Sequence, residues 1–249
     1  MNPLRLDVAL VQRGLARSRT RAAELIAEGG VIVNGQRTRK SSVMVTDDDL
    51  VEATDDRYVS RAAHKLLGAL DDSQTSVTGR VLDAGASTGG FTQVLLERGA
   101  TRVYAVDVGH GQIAAEVADD PRVVVREGLN LRDLSLADLG GEPVDLVVAD
   151  VSFISLRMLV EPLLTVVGTG GVALLMVKPQ FEVGRDRLGK GGVVKDEGVR
   201  MAAVDQVAAD ALALGWQEDW RGLSRLPGPA GNVEIFLRLR DGRTVGSRR

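Results

Sequence analysis

From Arg80 to Lys178, short apolar runs alternate with segments of helical periodicity, and this pattern restricts the fold more than any other feature of the chain. "RVLDAG" precedes a helix from Phe91, and "RVYAVDV" precedes a helix from Gln112. "RVVVREGL", "VDLVVADV", a helix from Ser155 and "GVALLMVK" continue the series. Brief β-branched runs read as strands, and longer amphipathic segments read as helices. Strands joined through helices build a parallel sheet covered on both faces, here a Rossmann-like α/β architecture. A helix from Glu197 to Leu214 and the strands "WQEDWRGL" and "NVEIFLRLR" complete it.

The first 50 residues do not follow that pattern. Leu6, Leu10 and Val11 outline a short helix stopped by Gly14. Ser18 is placed to cap a second helix, whose Ala22, Leu25 and Ile26 face inward before Gly29-Gly30 ends it. "VIVNGQRT" reads as a hairpin around an Asn-Gly turn. Charge separates the two regions further. The chain as a whole carries −3, whereas residues 1–45 hold eight Arg or Lys against Asp7, Glu24 and Glu28. A basic α+β module on an acidic protein suits a polyanionic partner. The pattern of "RLDVAL", "GLARSRTRAAELIAEGGVIVNG" and "RTRK" resembles the RNA-binding domain of ribosomal protein S-four, the alpha-L motif. Arg5, Arg17, Arg19, Arg21 and Lys40 are the expected RNA contacts.

The expected boundaries are an RNA-binding domain at 1–50, a linker at 51–60, the sheet domain at 61–240 and a disordered tail at 241–249. The acidic run "TDDDLVEATDDR" separates the first module from the remainder, and "RYVSRAAHKLLGAL" follows as a helix whose Ala62, Leu66 and Leu70 share a face. The absence of cysteine excludes disulfides, zinc–thiolate sites and a cysteine nucleophile. "MNPLRLDVALVQRG" lacks the apolar run of a signal peptide, and no segment approaches the ~20 residues of a membrane span. A cytoplasmic protein without a metal site is expected.

In open α/β sheets, ligands lie beyond the carboxyl ends of the strands. Asp83, Asp107, Asp150 and Lys178 occupy such ends. The turn "DAGASTGGFT" offers glycines for close backbone approach, yet its spacing is neither G-x-G-x-x-G nor a P-loop. Asp83 at the strand end opposes a pyrophosphate and favours a ligand with an ammonium group, which it would face through water or backbone. Asp107 is positioned for ribose hydroxyls. S-adenosylmethionine carries both groups; NAD shares the ribose contact but lacks a pyrophosphate site here. "ADVSF" after the fourth strand lacks the prolines common in amine-methylating enzymes. A lysine at the next strand end points to deprotonation of an alcohol. The neutral amine that this requires is favoured by desolvation, by the sulfonium charge and by a second lysine. Asp150 opposes it, so its better role is to orient Lys178 and the hydroxyl.

"RAAHKL", "DAGASTGGFT", "VVADVSFISL", "VKPQFEVG" and "GNVEIFLRL" resemble the TlyA-type branch of the FtsJ/RrmJ-like ribose 2′-O-methyltransferases over nearly the entire chain. The resemblance implies a class I methyltransferase sheet and a catalytic tetrad of Lys65, Asp150, Lys178 and Glu234. It implies S-adenosylmethionine as cofactor, held by Asp83, Gly85, Ser87, Thr88, Gly89, Gly90, Phe91, Asp107, Val108, Asn130 and Asp150. Its substrate would be a cytidine 2′-hydroxyl of ribosomal RNA, free or in a subunit. "DRYVS" looks like the family's interdomain linker, and His110 stands where the family often has tyrosine. Two other classes remain open: a cytolysin, because members are often labelled haemolysins, and a non-catalytic RNA-binding assembly factor.

Overall fold

The computed structural model describes residues 3–16, 18–53, 58–228 and 230–242. The chain divides into two compact units, Met1–Arg57 and Tyr58–Arg249. Arg17, most of the junction after Ala53 and nearly all of the expected tail lie outside the described residues.

The first unit contains β1 (Leu4–Arg5), α1 (Leu6–Gln12), α2 (Arg19–Glu28), β2 (Val31–Val33), β3 (Gln36–Thr38), β4 (Met44–Val45) and β5 (Val51–Ala53). Its core is drawn from Leu6, Leu10, Ala22, Leu25, Ile26 and Val31, as the apolar spacing requires. Ser18 Oγ accepts from Arg21 N, and Gly29 closes α2 in the left-handed region. Asn34 and Gly35 have φ of 50° and 78°, which makes the two-residue turn that suits strand twist. The β3-β2-β5 sheet is antiparallel throughout.

The second unit begins with α3 (Ala62–Ser73), β6 (Arg80–Ala84), α4 (Gly90–Glu97), β7 (Arg102–Asp107), α5 (Ala115–Ala118) and β8 (Val123–Glu127). It continues with β9 (Val144–Ala149), α6 (Val160–Thr165), β10 (Val167–Val177), α7 (Pro179–Glu182), α8 (Glu197–Ala213), β11 (Trp216–Leu223) and β12 (Ile235–Asp241). The seven strands lie in the order β11-β12-β10-β9-β6-β7-β8. The five from β10 to the edge strand β8 are parallel; β12 runs antiparallel between β10 and β11. One core packs Leu66 and Leu70 of α3 and Phe91 and Val94 of α4 against Val81, Val148 and Phe236. The other packs Leu163 of α6 and Val204 and Val207 of α8 against Leu82, Val147 and Leu175. Both faces are covered, as expected.

Three local expectations change. The helix expected from Gln112 shrinks to four residues, and the N–H groups of Gly111, Gln112 and Ile113 ahead of it are held by Glu127 (below). The segment after Ser155 forms a 3₁₀ turn at Leu156–Met158 before α6. The last strand starts at Ile235 rather than Asn232, whose side chain instead accepts from Val194 N and donates to Gly192 O. Among the described residues, no helix is long and apolar enough to cross a membrane.

Candidate active site

The sheet changes direction of winding at β6 and β9, where an open α/β sheet leaves a crevice. The loops leaving these strands meet there. Gly85 has φ +87°, and a β-carbon on it would lie 2.6 Å from the Asp150 carbonyl oxygen. Only glycine permits that approach of one backbone to the other. A cavity of about 640 Å³ opens beside it, lined by Gly85, Ser87, Asp107, Val108, Gln112, Asn130 and Asp150 among others. That volume is in the range of small-molecule and cofactor sites.

Two carboxylates shape the cavity's floor. Asp107 accepts from Ser87 N and Gly109 N, each at 2.8 Å, which ties the β6–α4 loop to the loop after β7. Glu127, directly opposite Asp107 in the β7–β8 register, accepts from Gly111 N, Gln112 N and Ile113 N at 2.6, 2.8 and 3.3 Å. Those N–H groups, Gly111 first, hold its carboxyl below the usual range. Ala114 N completes the clamp by donating to Thr88 O at 3.1 Å. The cavity wall is therefore preformed by hydrogen bonds within the unit.

A smaller cavity, about 280 Å³, shares Gly85, Ser87, Asp150 and Ser152 with the first. It holds all four tetrad residues. Lys65 of α3 and Glu234, just before β12, lie 2.5 Å apart and are both buried. Lys178 Nζ lies 2.5 Å from Asp150 Oδ1 and donates to Ser152 Oγ at 2.7 Å. Truncating either member of a buried pair leaves the other charge uncompensated and costs several kcal/mol, so these pairs are matched sets. Thr88, Gly90 and Phe91 line this smaller cavity and not the larger, while Gly89 lines neither. Asn130 caps the turn at Leu131–Asp133 and faces the larger cavity. Next to Ser152, Phe153 has φ +65° and is 92% exposed, with its ring 5.5 Å from that of Phe181.

Asp83 departs from expectation. It is fully buried, its Oδ2 accepts from Thr92 Oγ1 at 2.6 Å, and it lines neither cavity. It shares strand parity with Val81, so its side chain points under α4 instead of out of the strand end. The preference for a cation rests on Asp107 and Asp150 instead. Burial, more than the nearby Asp150 charge, pushes the Asp83 carboxyl up to about 7. Between about pH 4 and 7 the folded chain therefore keeps a proton that the unfolded chain has lost. The contribution of Asp83 to stability falls as pH rises through that window and is constant outside it, a total of roughly 4 kcal/mol at most. Asp83→Asn should lack this slope. Urea unfolding of both proteins from pH 5 to 8 checks it; parallel stability curves would mean that Asp83 is charged throughout.

In the first unit, Arg5 and Arg19 each reach the buried Asp7 at 3.0 Å while remaining largely solvent-exposed, and Lys40 is exposed. Arg21 corrects the expected RNA-contact set: it is buried beside Glu24 at 3.3 Å, on the side of α2 that carries Ala22 and Leu25. Three residues escaped the sequence reading. Ser152 sits in "ADVSF", a turn marked in sequence only by the prolines it lacks. Gln112 falls where the periodicity predicts a helix. Glu127 ends β8, so the strand-end rule that selected Asp107 also selects it.

Asp107→Ala should weaken binding of a ribose-bearing cofactor by about 1.5–3 kcal/mol, the range for hydrogen bonds to a charged group. RNA affinity should change little. Calorimetry on the variant tests this, and an unaltered cofactor affinity would move the ribose contact elsewhere.

Residues 58–240 match the FtsJ-like methyltransferase family, and residues 4–51 match the S4 domain. A Mycobacterium tuberculosis protein named 16S/23S rRNA (cytidine-2′-O)-methyltransferase TlyA is 50% identical over 240 residues, 95% of this chain and 89% of that one. Hemolysin A of Brachyspira hyodysenteriae is 35% identical over 94% of this chain and 98% of its own length. A solved structure of a hemolysin-named protein from Streptococcus thermophilus superposes with a TM-score of 0.76 at 34% identity, covering 97% of this chain and 89% of that one. With its crevice at the β6–β9 switch, this chain belongs to the FtsJ-like methyltransferase family and carries an S4 domain ahead of the methyltransferase domain.

Proposed function

We propose that this protein transfers a methyl group from S-adenosylmethionine to a ribose 2′-hydroxyl of ribosomal RNA, at a cytidine as in the name of the M. tuberculosis relative. One observation carries the reading: two lysine–carboxylate pairs enclose a small cavity that opens onto a cofactor-sized one at Gly85, Asp150 and Ser152.

The residues present suit that cofactor. Asp107 keeps acceptor capacity for two ribose hydroxyls, since each of its oxygens spends one lone pair on a backbone N–H. Asp107 and Asp150 place negative charge along the cavity that would receive an ammonium and a sulfonium. Gly85 lets the loops after β6 and β9 close on each other at the edge of both cavities. When bound, S-adenosylmethionine supplies an electrophilic methyl group.

The chain supplies alignment and a proton acceptor. A ribose hydroxyl is a weak nucleophile until a base takes its proton, and Lys178 in its neutral form is that base. Asp150 fixes the lysine's position. Lys65 and Glu234 form the opposite wall and hold the target ribose so that its oxygen meets the methyl group in line. In the S4 unit, Arg5, Arg19 and Lys40 contact RNA phosphates, which position the substrate without specifying its sequence.

Incubation of purified ribosomal subunits with methyl-labelled S-adenosylmethionine, followed by nucleoside digestion, tests the reading. Label in 2′-O-methylcytidine is the expected result. Label on a base, or none on any ribosomal substrate, overturns it.

A further inference from the structure

Asp150 and Lys178 are close, but their contact lacks the angles of a hydrogen bond. Asp150 Oδ1 is buried with no hydrogen-bond partner even though Lys178 Nζ lies 2.5 Å away. The directed contact of Lys178 is a different one: Nζ donates to Ser152 Oγ at 2.7 Å. Ser152 lines both cavities, whereas Lys178 lines only the smaller. The carboxylate attracts the amine without fixing its rotation, and the hydroxyl fixes it.

We propose that Ser152 is a positioning residue for methyl transfer, aiming the lone pair of Lys178 at the acceptor hydroxyl. The inference rests on the proposed function, with Lys178 as base. A neutral amine has two N–H bonds and one lone pair. Ser152 Oγ takes one hydrogen, and the charge of Asp150 draws the second. The lone pair is then left with the one remaining tetrahedral direction. In the reaction that lone pair takes the 2′-hydroxyl proton and Lys178 becomes an ammonium. The hydroxyl oxygen forms its new bond to the methyl carbon as the carbon–sulfur bonding pair returns to sulfur. The new ammonium keeps its bond to Ser152 and gains a third donor for Asp150 or the solvent.

The test compares Ser152→Ala, Ser152→Thr and Lys178→Ala in single-turnover methylation of ribosomal subunits. Cofactor affinity and thermal midpoint are measured alongside. Ser152→Ala should lower the plateau rate at high pH by roughly 10- to 100-fold, the cost of losing alignment, with cofactor Kd and midpoint unchanged. Ser152→Thr keeps a hydroxyl on the same carbon and should recover most of the rate. A wild-type plateau in Ser152→Ala, beside an inactive Lys178→Ala, overturns the positioning role alone. A loss in Ser152→Ala confined to cofactor Kd does the same, because it makes the serine a cofactor contact. An active Lys178→Ala overturns the base assignment and this inference with it.

Discussion

Lys178→Ala is expected to lower the methyl-transfer rate by about 10²–10⁴-fold, the usual contribution of a positioned base, while cofactor binding survives. The two effects separate because Lys178 lines the smaller cavity and is absent from the larger. Lys178→Arg should fail as well. A guanidinium keeps the positive charge beside Asp150 but cannot give up a proton near neutral pH. Single-turnover rates at saturating cofactor, with calorimetry on each variant, are the measurement. Near-wild-type turnover by the arginine variant would make Lys178 an electrostatic anchor and place the base elsewhere.

A chain starting at Tyr58 should fold and bind cofactor yet lose nearly all activity on ribosomal substrates. Its folding follows from the cores: among the described residues, those of the second unit draw only on residues from Tyr58 onward, and that of the first only on residues up to Ala53. Its failure follows from charge. The truncation takes away the exposed Arg5, Arg19 and Lys40, and residues 58–249 keep the whole chain's net charge of −3, which repels RNA. In the full-length protein, each phosphate contact removed from the S4 unit should flatten the salt dependence of RNA binding by slightly less than one unit of slope. Methylation of purified subunits by both proteins at matched cofactor saturation decides the matter. Comparable activity would mean that the second unit finds its target unaided.

What could be read from the sequence follows the range of the interactions. The strand–helix alternation, the Ser18 cap and the Asn34-Gly35 turn are local, and the structure keeps them. Asp107, Asp150 and Lys178 were accessible through a single rule about strand ends. Asp83 obeys the same rule in sequence but fails it in space, because strand parity sends its side chain beneath α4. The short α5 was hidden for a related reason. Glu127 of β8 holds the N–H groups of the loop that leads into α5, and nothing near Gln112 announces that contact. Lys65 and Glu234 were beyond composition and periodicity altogether. They are 169 positions apart, and only resemblance to a family joined them before the fold did.

The placement of β12 bears on how the enzyme is made. It is the last strand among the described residues, yet it lies between β10 and β11 and carries Glu234 at its entry. A nascent second unit that has emerged as far as Leu223 has neither the partner of β11 nor the counter-ion of Lys65. During vectorial synthesis, local helices and the central parallel strands can collapse first, and the acceptor cavity closes only when the final strand is threaded into its slot. Competence thus arrives only once Glu234 and β12 have been made. A ribosome-stalled or prematurely terminated chain could still present its basic S4 unit to RNA, but it would have no completed site with which to modify it.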